Sequence, residues 1–261
     1  MRPQSGSFGT NRAMRIPRNT TSVCVSLAAI LSFSSCKKDG PPPPVGEVPA
    51  PVTLRLFHLV DGAPVQYDTM AYTNEAGNTY SITHLEYYLS ELVLIGSGTS
   101  PNDTLNGPWL VDANGGTEFE TDRVKAGTYS GAKVLIGLPP ALNITGALPN
   151  TIANIHMAWP DLMGGGYHFI KFEGHFTGSS GLSGFAMHVG NNEFLAECNM
   201  PGSFTTNGNG GTIELRFNLN EVFRTPHVYD LDSGNYSMGN MVLMGRLRDN
   251  CADALAFQYL P

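Results

Sequence analysis

Short apolar segments recur from residue 52 to residue 219, and none of them keeps a helical spacing for long. Each segment is rich in Val, Ile, Leu, Tyr or Phe, and glycine, proline or asparagine separates it from the next. Apolar runs of strand length that alternate with turn residues are typical of all-β domains. The chain's 30 glycines and 18 prolines supply the turns. The sequence therefore predicts an all-β fold, an antiparallel β-sandwich.

Six segments have the composition of strands and end at a turn signal. They cover residues 52–60, 79–95, 129–138, 167–176, 184–189 and 212–219. The longest of them, residues 79–95, fits a strand with a bend better than a helix. Residues 235–247 differ, because their methionines lie close to helical spacing, and they predict a short helix near the C-terminus.

Residues 1–35 have the composition of a bacterial lipoprotein signal peptide. Arginines precede an apolar stretch, residues 23–31, that is too short to span a bilayer, and small residues lead to Cys36. We expect Cys36 to be lipidated, so that its acyl chains hold the protein at a membrane. The alternative is an ordinary secretory signal with an incidental cysteine.

Residues 36–51 contain a proline run and predict an extended tether, which leaves residues 52–261 as the folded domain. The expected location is the cell envelope, as an outer-membrane lipoprotein on the periplasmic or the outer side. The signal segment takes away 4 of the 15 basic residues and no acidic ones, so 11 basic residues face 22 acidic ones in the mature protein. This acidic balance argues against nucleic acid as a partner, because phosphates require Lys and Arg.

Two cysteines remain once Cys24 leaves with the signal segment and Cys36 is lipidated. These are Cys198 and Cys251. Outside the cytoplasm such a pair usually forms a disulfide, and this is our expectation. A thiolate metal site is the alternative.

Common catalytic motifs are missing from the sequence. It contains no G-x-S-x-G, no Walker loop, no H-E-x-x-H and no C-x-x-C. The three glycines of residues 164–166 lack the lysine that a phosphate-binding loop would need, and they predict a turn. We therefore expect a binding protein and not an enzyme.

Residues 155–190 contain four of the seven histidines and three of the ten methionines. Imidazole and thioether groups together suit a copper site, since soft sulfur favours Cu(I) and imidazole serves either oxidation state. Strand alternation places His168 and His175 on opposite faces, so the two are not expected to share an ion unless a bulge at Gly174 intervenes. For any one of these histidines alone, a structural role is the competing interpretation.

Several segments in this order resemble the MbnP-like copper-binding family. Its central signature matches residues 157–159 (Met-Ala-Trp), 166–174 (Gly-Tyr-His-Phe-Ile-Lys-Phe-Glu-Gly) and 185–190 (Phe-Ala-Met-His-Val-Gly). Shorter family motifs match residues 87–90, 110–112 and 127–129. The resemblance spans the whole domain, from about residue 52 to residue 260.

The resemblance implies a secreted β-rich domain that takes part in copper acquisition, with a di-haem peroxidase-like (MbnH-type) protein as a partner. In some relatives a tryptophan oxidised to kynurenine joins two histidines in binding copper, and Trp159 is the tryptophan within the matching motif. His188, in the matching His-x-Gly, is the best-placed ligand. His168, His156 and His58 are the other candidates.

A non-metal module that binds glycans or a surface partner is the alternative function. Exposed aromatic side chains would then carry the binding, and Tyr67, Tyr72 and Trp109 are the candidates. The two functions make different demands on the fold. Copper binding needs imidazoles that converge, whereas glycan binding needs aromatic rings at the surface.

Overall fold

A computed structural model of the chain describes residues 50–261, which belong to one compact unit, Gly46–Pro261. The expected signal peptide, the lipidated Cys36 and nearly all of the tether lie outside the described residues. Within residues 50–261, no helix has the length and apolar character needed to cross a membrane.

Strands make up most of the regular structure. They are Thr53–Val60 (β1), Ala63–Pro64 (β2), Tyr72–Thr73 (β3), Thr79–Gly96 (β4), Asp103–Leu105 (β5), Trp109–Asp112 (β6), Glu118–Glu120 (β7), Gly127–Ile136 (β8), His168–Gly178 (β9), Gly181–Gly190 (β10), Ala196–Thr206 (β11), Thr212–Asn218 (β12) and Leu255–Leu260 (β13). The α-helices are Ile152–His156 (α1) and Met241–Cys251 (α2), and single 3₁₀ turns cover Asp161–Met163, Asn192–Phe194 and Glu221–Phe223.

The strands form two sheets that pack against each other. The eight-stranded sheet has the order β10-β9-β4-β8-β11, and β3, β5 and β6 also pair with β4. The five-stranded sheet has the order β13-β12-β1-β2, and β7 also pairs with β1. All of these strands pair antiparallel except β1 with β12, which run parallel. The predicted all-β, antiparallel sandwich is confirmed, with one parallel pair added.

The eight-stranded sheet has an inner face against the other sheet and an outer face away from it. On β9 the alternation is plain: Phe172 and Phe176 are buried in the main core, while Lys171, Glu173 and His175 lie on the outer face. Part of the outer face is covered by the loop of residues 137–167, which holds a second, smaller apolar cluster. Its buried members are Tyr88, Leu138, Leu148, Met157, Tyr167 and Phe169.

Two features of the C-terminal third differ from the expectation. The short helix is present as α2, but it begins at Met241, where the Asn240 side chain accepts a hydrogen bond from the Leu243 amide at 3.1 Å, and it is followed by β13. The sequence also gave no sign of β11, because Pro201 and the glycine after it resemble a turn. The pairing of β11 with β8 is irregular between Pro201 and Phe204, which accommodates a residue that lacks an amide hydrogen.

Candidate metal site

The first two segments of the signature pair with each other directly. The amide of His168 donates to the carbonyl of Met157 at 2.7 Å, and the amide of Trp159 donates to the carbonyl of Gly166 at 2.9 Å. This short antiparallel bridge lies at the N-terminal end of β9. It fixes Trp159 beside the strand that carries His168.

Trp159 is buried, with 1% of its surface exposed, and its indole lies flat against the third segment of the signature. Its Nε1–H donates to the carbonyl of Met163 at 3.0 Å. A Cβ atom added to Gly190 would lie 2.5 Å from the indole ring, closer than carbon atoms approach without a clash. Only glycine therefore permits this contact, which gives a physical reason for the final residue of the His-x-Gly motif.

The rings of Trp159, His168 and His188 form a continuous row. The ring centroids of Trp159 and His168 are 4.8 Å apart, and those of His168 and His188 are 5.1 Å apart with the planes at 89°. The pairing of β10 with β9 is irregular after Val189, which places Gly190 opposite His168. This irregularity lets His168 reach a histidine of the outer face, so all three segments of the signature meet here.

His168 keeps one ring nitrogen available. Its Nδ1 lies 3.2 Å from the carbonyl oxygen of Met157, which can only accept, so Nδ1 carries the proton and Nε2 has a free lone pair. Burial, and next the neighbouring His188, lower the pKa of His168 to about 4. The ring is therefore neutral at pH 7, which is the form that binds metals.

His188 is held from two sides. Its Nε2 lies 2.7 Å from Oε1 of Glu173 on β9, and the hydroxyl of Ser237 donates to its carbonyl oxygen at 2.6 Å. The hydrogen bond from His188 is the main reason that the pKa of Glu173 lies below its usual value. The His188 side chain is 17% exposed, so the site is close to the surface but not open.

The other two candidate ligands lie in different settings. His58 belongs to β1 of the five-stranded sheet, where its Nε2 lies 2.8 Å from the hydroxyl of Tyr87. His156 is the exposed last residue of α1, and its carbonyl oxygen accepts a hydrogen bond from the Lys171 ammonium. Within residues 50–261, no ring contact or hydrogen bond joins either ring to the row of Trp159, His168 and His188.

The row offers two usual metal donors, one imidazole nitrogen from His168 and one from His188. In the part of the chain that the structure describes, no group of three or more His, Cys, Asp or Glu side chains is arranged to hold a metal ion. A copper ion bound between His168 and His188 would therefore take any third protein ligand from another kind of side chain. The other member of the row, Trp159, is in ring contact with His168.

The three candidate rings do not form the exposed aromatic platform that the alternative function requires. Tyr72 and Trp109 are each 9% exposed and belong to the main core, and Tyr67 is half-buried against it. Cross-strand packing explains the difference, since β3 and β6 both lie against β4. These rings are structural.

Cys198 and Cys251 lie side by side in the core as free thiols. The thiol of Cys198 donates to the carbonyl oxygen of Cys251 at 2.9 Å. Burial raises the pKa of Cys251 to about 12, which disfavours the thiolate that a metal site would need. The disulfide stays a prediction of the sequence, and the thiolate-site alternative loses support.

Comparison with known proteins agrees with this architecture. A family model described as MbnP matches residues 49–241. The solved structure of MbnP from Methylosinus trichosporium is similar with a TM-score of 0.53 over 80% of this chain and 98% of that chain, at 14% sequence identity, a likeness of fold. A search of curated proteins finds no match. Because the family model covers most of the domain, including the whole row of rings, the chain belongs to the MbnP family.

Proposed function

We propose that this chain is a secreted, lipid-anchored protein that binds copper at the cell envelope through His168 and His188 and has no catalytic activity of its own. Membership of the MbnP family supports a role in copper handling. The carrying observation is the contact of two imidazoles, each with a hydrogen-bond partner at one ring nitrogen, beside a buried tryptophan.

The chemistry of the pair suits copper. Neutral imidazole binds both oxidation states, and His168 follows Tyr167 and precedes Phe169 of the smaller apolar cluster. Alkaline-earth cations, which prefer oxygen ligands, gain little from two ring nitrogens. The methionines of this region are less suited, because Met157 and Met187 are fully buried as core residues.

Oxidation of Trp159 to kynurenine belongs to the same proposal. In that reaction two molecules of hydrogen peroxide cleave the C2–C3 double bond of the indole, which gives N-formylkynurenine with a ketone at C3 and two molecules of water. Water then hydrolyses the formamide, so that C2 leaves as formate and the aniline nitrogen is freed. A di-haem peroxidase-like partner is the class of protein that would supply this chemistry. The product has oxygen and aniline nitrogen atoms next to His168, so it provides the donor that the two histidines lack.

The direct test is a copper titration of the full-length protein against a chromophoric Cu(I) chelator. His168→Ala and His188→Ala should each weaken binding by at least about 100-fold, because loss of a ligand exceeds the effect of losing its outer partner. His227→Ala is the matched control, since His227 is a partly exposed histidine bonded to Asp249 at 3.1 Å, away from the site. It should bind copper as the wild type does.

Two results would contradict the proposal. If the wild-type protein, isolated from its native envelope, contains no copper and its melting temperature is unchanged by added copper, the non-metal alternative is favoured. If both histidine variants bind as tightly as the wild type, the copper site lies elsewhere. The intact mass of the same wild-type sample shows whether Trp159 is oxidised. The difference in mass between the wild type and Cys36→Ala shows whether Cys36 carries a lipid.

A further inference from the structure

The outer face of the eight-stranded sheet carries two histidine–carboxylate pairs close to the row of rings. His188 lies 2.7 Å from Glu173, and His84 lies 3.1 Å from Glu86. The strand register places His84 directly opposite Glu173. Only the pair of His188 and Glu173 touches the proposed copper site, since His188 contacts His168.

The carboxylate settles which nitrogen of His188 carries the proton. An ionised carboxylate can accept hydrogen bonds but cannot donate them. The nitrogen that faces Glu173 is Nε2, so Nε2 holds the hydrogen, and in the neutral ring Nδ1 is the nitrogen with the lone pair. His168 has the opposite tautomer, because its Nδ1–H donates to the Met157 carbonyl.

We propose that Glu173 is the positioning residue of the copper site, fixing His188 as the Nε2–H tautomer so that its Nδ1, together with Nε2 of His168, binds the metal. This inference rests on the proposed function and adds the donor atom of each ligand. A carboxylate behind a metal-bound imidazole fixes the ring orientation and makes the ring a stronger donor.

The surroundings hold Glu173 in this role. Its carboxylate is 36% exposed, and His84 on β4 lies directly opposite it in the strand register. From the other side, Ser237 fixes the backbone of His188 by a hydrogen bond to its carbonyl oxygen. The ring of His188 is thus bound at its backbone and at Nε2, which leaves Nδ1 for a ligand.

The test compares Glu173→Leu and Glu173→Gln with Glu86→Leu in the full-length protein. In the copper-free wild type, ¹⁵N NMR should show His188 with its proton on Nε2. Glu173→Leu should mix the two tautomers and weaken copper binding about 10- to 100-fold. Glu173→Gln keeps an acceptor oxygen, so it should restore part of both properties.

Glu86→Leu removes the matched pair on the same face and should change neither the His188 tautomer nor copper affinity. The inference is overturned if Glu173→Leu keeps the Nε2–H tautomer, or if it binds copper like the wild type while His188→Ala does not. In the second case copper binding through His188 survives. If the wild type binds no copper, the proposed function fails and the role in metal binding fails with it, while the NMR result still decides the tautomer.

Discussion

His58, which is half-buried, and His168, which is buried, are two histidines with similarly lowered pKa values and different surroundings. The pKa of each is lowered to about 4, chiefly because burial disfavours the charged ring. His58 lies between the two sheets with its Nε2 against the hydroxyl of Tyr87. His168 lies at a strand end, between a tryptophan and a second imidazole.

Burial and a low pKa are common to both rings, so they do not distinguish one candidate ligand from the other. Burial keeps both rings neutral, but only His168 has another imidazole at contact distance. His58 instead meets a phenol, which is a poor ligand when its pKa is raised well above the usual value, as burial raises that of Tyr87. His58 therefore contacts a phenol of the other sheet, whereas His168 contacts a second imidazole.

The largest predicted effect is a loss of folding stability in acid, caused by protonation of His58. Its folded pKa, about 4, lies below the unfolded value of 6.5, so its contribution is intact above pH 6.5 and is lost as the pH falls to about 4. The shift corresponds to about 3 kcal/mol. Urea unfolding at pH about 7.5 and about 4.5 should show a smaller acid loss for His58→Gln than for the wild type. Equal losses of stability in the two proteins would mean that His58 has no part in the pH dependence. Copper affinity at neutral pH should be unchanged in His58→Gln.

The variant Gly190→Ala tests the surroundings of His168, the second histidine of the comparison. Its Cβ would lie 2.5 Å from the Trp159 ring, so the indole and the strand must move apart, at a cost of about 2 kcal/mol in the free energy of unfolding. Copper affinity should fall as well, because Trp159 and His168 are in ring contact. Urea unfolding and the copper titration measure the two effects.

Gly184→Ala is the control for that variant. Gly184 lies in the same strand, and an added Cβ there would find its nearest neighbour at 3.8 Å, an ordinary contact. Stability and copper affinity should stay close to those of the wild type. A Gly190→Ala protein that behaves like Gly184→Ala would mean that the close packing of Trp159 is not needed.

Tyr87→Phe should have the smallest effect. The variant removes the hydroxyl that meets Nε2 of His58, which should cost about 1 kcal/mol of stability. Copper binding should be unaffected, because this contact belongs to the main core. A loss of copper affinity in Tyr87→Phe would break the distinction between the two histidines.

The sequence predicted the fold well where apolar runs were uninterrupted. The long strand β4 and the strands β9 and β10 were expected, since aromatic and branched residues continue through them. Strand β11 was missed because Pro201 and Gly202 have the composition of a turn. Strand β13 was missed because it follows helix α2 closely and no clear turn signal separates the two. Contacts with neighbouring strands decide such cases, and a single sequence does not contain them.

The candidate site was predicted in part. His168, His188 and Trp159 were singled out by the density of histidines and by family resemblance, but the convergence of their rings depends on an irregularity beside Val189 that no sequence pattern marks. Glu173 was overlooked, although a signal existed. It alternates with apolar residues on β9, and the short turn before β10 places it within reach of His188.

Residues 235–237, whose Ser237 bonds the backbone of His188, also cover the edge of the eight-stranded sheet. β10 is the last strand of its sheet, and residues 235–237 run beside it with hydrogen bonds to both sides of Ala186. Unpaired edge strands invite pairing with neighbouring molecules. Because of this cover, the backbone of Ala186 on the strand that bears His188 is not free to pair with another chain.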